Sequence, residues 1–293
     1  MTITGSSPKA MTKGSRRGTS SAVRRAGTFP VRRLGADYEN VDRYFYAGQP
    51  VATLFAVTGS LLFPDGEMFF VNAIRQVKDD ITDPALAAEV RAFIGQEGSH
   101  ASEHRRANRV SERVYGIDAE KTARLMNLVL RRVERRSSPL FRLATTAALE
   151  HFTAIIGAAL LADDHFADNI VSPALRSLTM WHAIEESEHR AVAIDVYRYA
   201  GGGYPLRVAA MVAATGGTAL VFGASFLSLL AKDGQLTNVG SWRHFLSGSA
   251  RSTGLLRPVV RRYWSYFAPG FHPHDEDTSA DEARWRVRLA LKG

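Results

Sequence analysis

His182-Ala183-Ile184-Glu185-Glu186-Ser187-Glu188-His189 is the stretch that decides how this 293-residue chain folds. Residues three and four apart share a helix face, so His182, Glu186 and His189 point one way. Trp181 and Ile184 beside them argue that the helix is buried, and buried unpaired charge needs a compensating partner. Upstream, Glu97-Gly98-Ser99-His100 repeats the arrangement with His104 one turn on, and two isolated glutamates, Glu67 and Glu150, complete the set. The order is Glu, Glu-x-x-His, Glu, His-x-x-x-Glu-x-x-His. Antiparallel helices offering a Glu from each of two, and a Glu-x-x-His from each of the other two, are the recipe for a dinuclear iron or manganese centre. The expected metal ligands are Glu67, Glu97, His100, Glu150, His182, Glu186 and His189, with His104 as a further ligand or an outer-shell partner. Glu67, Glu97, Glu150 and Glu186 are the expected catalytic carboxylates. Glu185 fits His182 but not His189 as well as Glu186 does, and Glu188 is expected to face solvent or to pair with an Arg.

The helix boundaries follow from local chemistry. Asp83-Pro84, Ser138-Pro139 and Ser172-Pro173 each put a capping side chain before a proline at the first helical position. The helices they open run to about Tyr115, Asp164 and Ala200, and another lies between Asp118 and Arg136. Glu67 sits on a helix that starts either at Phe63-Pro64 or near Val51 with a kink at Pro64. Glu67 and Glu97 each lie 15 residues from a turn near Thr82, and Glu150 and Glu186 each lie 18 residues from a turn near Asp168. Two antiparallel hairpins thus level the carboxylates at ~20 to 27 Å from their turns. The fold class is all-α: a four-helix bundle of ferritin-like type with an extra crossover helix and a C-terminal apolar helix or hairpin. The expected division is a disordered basic tail over 1–36, the di-metal bundle over 37–204, an apolar helical segment over 205–268 and a C-terminal tail over 269–293.

Composition narrows the chemistry. The net charge of +8 comes from eight Lys and Arg in residues 1–33, which hold no acid, so the body is neutral and no nucleic-acid partner is expected. No apolar segment follows those arginines, and no secretory signal is read there. Cysteine is absent, so any metal must be held by His, Asp and Glu, a donor set that suits iron, manganese or zinc. Residues 208–231 carry no charge over 24 positions, enough to span a bilayer or to form a buried hairpin or oligomer contact. His151 is expected to pack, Asp195 to form a helix salt bridge or support a ligand, and His272 and His274 to be solvated.

The motif order resembles the di-iron N-oxygenases that convert arylamines to nitro compounds, whose third histidine is matched by His182. Phe63-Pro64-Asp65-Gly66-Glu67-Met68-Phe69-Phe70 and Ala148-Leu149-Glu150-His151-Phe152-Thr153-Ala154 are more closely similar to a bacterial family of predicted metal-dependent hydrolases, over roughly residues 40–265. A Glu-rich cage lined by Phe and Trp excludes water and admits apolar O₂, so the first expectation is a di-iron enzyme that activates O₂ to oxidise a small organic substrate, fed by an electron donor. A manganese-, zinc- or iron-dependent hydrolase, as the family name implies, is the alternative, and a non-catalytic ferritin-like metal-binding protein is the third. A lipid-like substrate, a homodimer and a cytoplasmic location at the inner face of the membrane complete the expectations.

Overall fold

The structure, a computed structural model, describes residues 28–250 and 256–291. Its helices are α1 (Pro50–Arg75), α2 (Pro84–Tyr115), α3 (Ala119–Arg136), α4 (Pro139–Leu161), α5 (Asp164–Asp168), α6 (Pro173–His189), α7 (Val192–Tyr199), α8 (Tyr204–Lys232), α9 (Val239–Ala250), α10 (Leu256–Ser265) and α11 (Ser279–Arg288). Among the described residues there is no β-strand, only an isolated bridge between Tyr46 and Ile170. The fold is all-α.

The expected caps are in place. The Asp83 carboxylate accepts from the amides of Ala85 and Leu86, and the Ser138 and Ser172 hydroxyls accept from Phe141 and Leu175, each with a proline at the start of the helix. Antiparallel α1 and α2 pack along each other, α4 packs along α6, and α1 and α4 join the pairs. The α4–α6 approach is close at Gly157, where an added Cβ would lie 3.2 Å from the Ala183 carbonyl and 3.5 Å from the Glu186 Cβ. That contact lies two turns beyond Glu150 on the same face of α4 and holds this helix against the one that carries Glu186.

α1 begins at Pro50 and runs through Pro64 without ending. A proline inside a helix removes the N–H that would bond the carbonyl four residues back, here Ser60. The α2 side chain of Asn108 fills the gap, donating from Nδ2 to the Ser60 carbonyl at 2.8 Å. Glu67 therefore lies on a long, packed helix.

Two expectations are corrected. The helix that opens at Pro173 stops at His189 and resumes at Val192, because Arg190 turns into the C-terminal loop, donating to Pro273, Glu276 and Thr278. Residues 28–36, expected to be disordered, lie on the bundle: Val31 packs against Gly95, the Pro30 carbonyl accepts from Gln96, and Arg32 is paired with two acids. The remainder of that tail, residues 1–27, lies outside the described residues. Beyond Pro269 a loop leads into α11, which is set on α6 through the buried Trp285 and Glu282. Arg251, which falls in the apolar C-terminal segment, lies outside the described residues.

Gly157→Leu should overpack the α4–α6 contact and destabilise the protein by about 1–3 kcal/mol. Denaturant unfolding would show this as a lowered midpoint, and an unchanged midpoint would refute the close approach.

Candidate metal centre

Glu67 from α1, Glu97 and His100 from α2, Glu150 from α4, and His182, Glu186 and His189 from α6 converge in the bundle interior, all of them buried. Glu186 stands at the middle. Its Oε1 is 2.9 Å from His182 Nε2 and 3.7 Å from His100 Nδ1, while its Oε2 is 3.5 Å from His189 Nε2. Glu97 Oε1 likewise lies between His100 Nδ1 at 3.5 Å and His189 Nε2 at 3.1 Å. Glu67 approaches His182 at 3.6 Å on one side, and Glu150 approaches His189 at 3.4 Å on the other. The donors thus form two lobes, one around Glu67, His100 and His182 and one around Glu150 and His189, with Glu97 and Glu186 reaching both.

Groups of donor atoms within 4.8 Å of one another fall into the same lobes: His100, His182 and Glu186; Glu67, Glu97 and His100; Glu97, Glu150 and His189. A fourth group takes Glu67, His104 and His182. Both oxygens of Glu67, Glu97 and Glu150, Oε2 of Glu186, Nδ1 of His100 and Nε2 of His189 are buried without a hydrogen bond. His189 Nε2 is near carboxylate oxygens but not aligned as a donor to any of them. Orphaned polar atoms at this density are costly in a helical core, and cations are what a set of facing carboxylate and imidazole donors is suited to hold.

A second layer of hydrogen bonds turns each imidazole inward. His189 Nδ1 donates to Gln96 Oε1 at 2.9 Å, and the Gln96 amide is fixed by its own donation to Glu188 and to the Pro30 carbonyl. His100 Nε2 donates to Glu185 at 3.0 Å, and Glu185 also accepts from Trp181 Nε1 and Arg32. Glu188, read from sequence as solvent-facing or Arg-paired, is paired with Arg32 and Arg286. His182 is set by a longer chain. With Nδ2 of Asn108 committed to the Ser60 carbonyl, its Oδ1 accepts the Ser60 hydroxyl at 2.7 Å. The Ser60 oxygen then accepts from His104 Nδ1 at 2.9 Å, and His104 Nε2 accepts from His182 Nδ1 at 2.8 Å. A His182 proton held on Nδ1 would leave its Nε2 lone pair for a metal, in place of the 2.9 Å contact that Nε2 makes with Glu186 Oε1. Both nitrogens of His104 are engaged in this chain, which suits an outer-shell partner better than a ligand.

Burial pushes Glu97 and Glu150 up to about 8, with Glu186 adding to the effect and His189 opposing it. It raises Glu67 as well, aided by Glu97 and Glu186. At Glu186 burial acts in the same sense, but His189 and His182 outweigh it and hold the group well below the usual carboxylate range. His189 moves well above its ordinary value despite burial, because Glu186 and Glu150 face it. Burial lowers His104 and His182, so both rings are neutral. Aromatic rings close the shell: Phe63 packs on His104 and His182, Phe93 on His189 and Trp181 on His100, each with ring centroids at 4.9 Å.

A family model described as predicted metal-dependent hydrolase matches residues 30–277. The chain belongs to that family. Searches of curated proteins and of solved structures give no significant match. The match begins at Pro30, so the ordered segment that carries Arg32 lies within the predicted metal-dependent hydrolase region. The comparison favours the hydrolytic alternative over the O₂-activating expectation, for which it gives no support. Which metal the family uses is not fixed by the donor set.

The other singled-out residues lie apart. His151 donates from Nε2 to the Arg262 carbonyl and packs on Tyr266 and Phe271. Asp195 pairs with His272, His165 meets Asn169, and His244 is exposed. Gln96, Ser60, Asn108 and Arg32 were missed by the sequence reading. Spacing offered a trace of two of them, since Ser60 is two turns before Glu67 and Asn108 one turn beyond His104. Arg32 carried no signal at all.

Carboxyl groups raised from 4.5 to about 8 on folding bind protons more tightly in the native state. Their contribution is fully present below pH 4.5 and is lost as pH rises through 8, so the metal-free protein should lose stability across that window. Metal uptake at pH 7 should accordingly release protons from Glu97 and Glu150, and further ones from Glu67 and His189, which are raised as well. Titration in buffers of different ionisation enthalpy counts them, and a value of zero would refute the protonation pattern.

Proposed function

We propose that this chain is a dinuclear metal enzyme that hydrolyses a small-molecule substrate, an ester or phosphate, in the centre formed by Glu67, Glu97, His100, Glu150, His182, Glu186 and His189. The observation that carries the proposal is the set of buried, orphaned donor atoms divided into two lobes that share Glu97 and Glu186. The family supports the reaction class.

When bound, two ions would supply Lewis-acid polarisation of a carbonyl or phosphoryl oxygen and would acidify water at neutral pH. The chain supplies the remainder. Glu97 and Glu186 reach both lobes, with Glu67 and Glu150 at the outer ends. Gln96, Glu185 and the Ser60–His104 chain fix which nitrogen of each imidazole faces inward, an outer-shell role whose loss ordinarily lowers metal affinity 10- to 100-fold. His104 acts as a positioning residue that keeps the His182 proton on Nδ1. The aromatic shell limits bulk water, which strengthens the electrostatic interactions within.

A second reading, O₂ activation by two irons with an external electron donor, has one observation in its favour. The centre is wholly buried and ringed by Phe63, Phe93 and Trp181, a surrounding that apolar O₂ enters more readily than a polar ester.

Elemental analysis of the purified protein should give two metal ions per chain. Glu97→Ala and Glu186→Ala should each lose both, and full retention would sink the assignment. His104→Leu should keep the stoichiometry but weaken metal affinity by about 10- to 100-fold. Anaerobic turnover of aryl esters and phosphates without reductant supports hydrolysis. A near-ultraviolet absorption that bleaches on reduction and returns with O₂, with no such turnover, supports the second reading.

A further inference from the structure

α1, α4 and α8 are each long and apolar enough to cross a membrane, but they differ in how much of that apolar surface the protein covers. In α1 and α4, 61% and 78% of the most apolar stretch is buried; in α8 the share is 33%. α1 and α4 carry Glu67 and Glu150 inside the bundle. α8 lies lengthwise on them, burying Met211, Ala214, Val221 and Leu230. Its other side exposes Val212, Gly216, Ala219, Leu220 and Leu227, with no charge between Val208 and Ala231, a strip ~36 Å long. An added Cβ at Gly216 or Gly223 would touch nothing, so these glycines are not required by packing within the chain.

α9 and α10, which touch α8 through Trp242 on Phe226 and through Tyr263 on Thr215, also expose apolar and basic side chains. α10 exposes Arg257, Val260, Arg261 and Trp264 at helical spacing, with Trp264 64% exposed. α9 exposes Val239, Arg243 and Leu246 in the same manner. Residues 204–270 hold seven Lys and Arg and a single acid, Asp233, which is paired with Arg43. Because the chain after residue 33 has 29 basic and 29 acidic residues, the rest of the body carries 22 against 28. Among the described residues of α9 and α10, Arg243, Arg257 and Arg261 are exposed, the last of them also 3.4 Å from Glu276.

We propose that the outer face of α8, α9 and α10 seats on an anionic lipid bilayer, with α8 lying in the interface and Trp264 at headgroup level. Exposed apolar side chains, arginines and a tryptophan on one face are the composition of helices that lie in a membrane interface. Charge complementarity favours lipid over a second copy, since a two-fold contact would set this face against itself and oppose its arginines to one another. The proposal is independent of the reaction at the metal centre.

Flotation of the full-length protein, purified with its metal, tests it. The protein should rise with vesicles of phosphatidylglycerol and phosphatidylcholine but not with phosphatidylcholine alone. Each basic residue near such a surface strengthens binding about fivefold, so Arg243→Gln with Arg257→Gln should lower partition about 25-fold. Leu220→Asp with Leu227→Asp, and separately Trp264→Ala, should weaken flotation too. These side chains are exposed, and unchanged helical content by circular dichroism confirms that each variant is folded. Three outcomes overturn the proposal: no flotation of the wild-type protein, flotation undiminished in all of these variants, which would place binding in the basic residues before Arg33, or a dimer in solution that protects the face and does not float.

Discussion

Four carboxylates buried together in a helical core are the constraint from which the rest of this structure follows. In the absence of compensation they would repel one another and forfeit their hydration. The chain answers in two layers. Inside, His100, His182 and His189 are interleaved with the carboxylates, and His189 faces three of them. Outside, a second pair of acids, Glu185 and Glu188, anchors the imidazoles and is itself neutralised by Arg32 and Arg286. Arg32 comes from the N-terminal segment and Arg286 from α11, so both ends of the ordered chain are drawn onto α6.

That arrangement separates the part of the protein that does chemistry from the part that supports it. Glu97 and Glu186 are the only donors in the centre, among the described residues, that approach histidines of both lobes. They are the elements through which one lobe can respond to the other. The supporting contacts, from Gln96, Glu185 and His104, act on the far nitrogens of the same imidazoles. The family name gives a reaction class that the centre alone does not, because the donor set constrains the metals more tightly than it does the reaction.

Much of this was legible in the sequence, for identifiable reasons. Asp83-Pro84, Ser138-Pro139 and Ser172-Pro173 announce their helices because capping is local chemistry, and the convergence of Glu67, Glu97, Glu150 and Glu186 follows from helical spacing and the lengths of two hairpins. What was not legible depends on contacts between distant parts of the chain. Nothing near Arg32 distinguishes it from the seven other basic residues before residue 34, and its role exists only because α6 places Glu185 and Glu188 beneath it. The interruption after His189 has the same origin, since Arg190 is a good helix former that finds better partners in the loop at 273–278. Glu67 was the weakest reading from sequence because Pro64 looked like a beginning.

Pro64 has an effect that reaches beyond its helix. By withholding one N–H it leaves the Ser60 carbonyl to Asn108, and that bond dictates which end of the Asn108 amide faces the Ser60 hydroxyl. If a residue with an N–H stood at 64, the amide would be free to turn over, Ser60 would donate to His104, and every proton along the chain to His182 would move to the opposite side of its bond. His182 would then carry its hydrogen on Nε2, where a metal needs the lone pair. Pro64 and Asn108, on different helices and 44 residues apart, thus act together: the direction of a hydrogen-bond wire in the core is written into a missing hydrogen in the backbone.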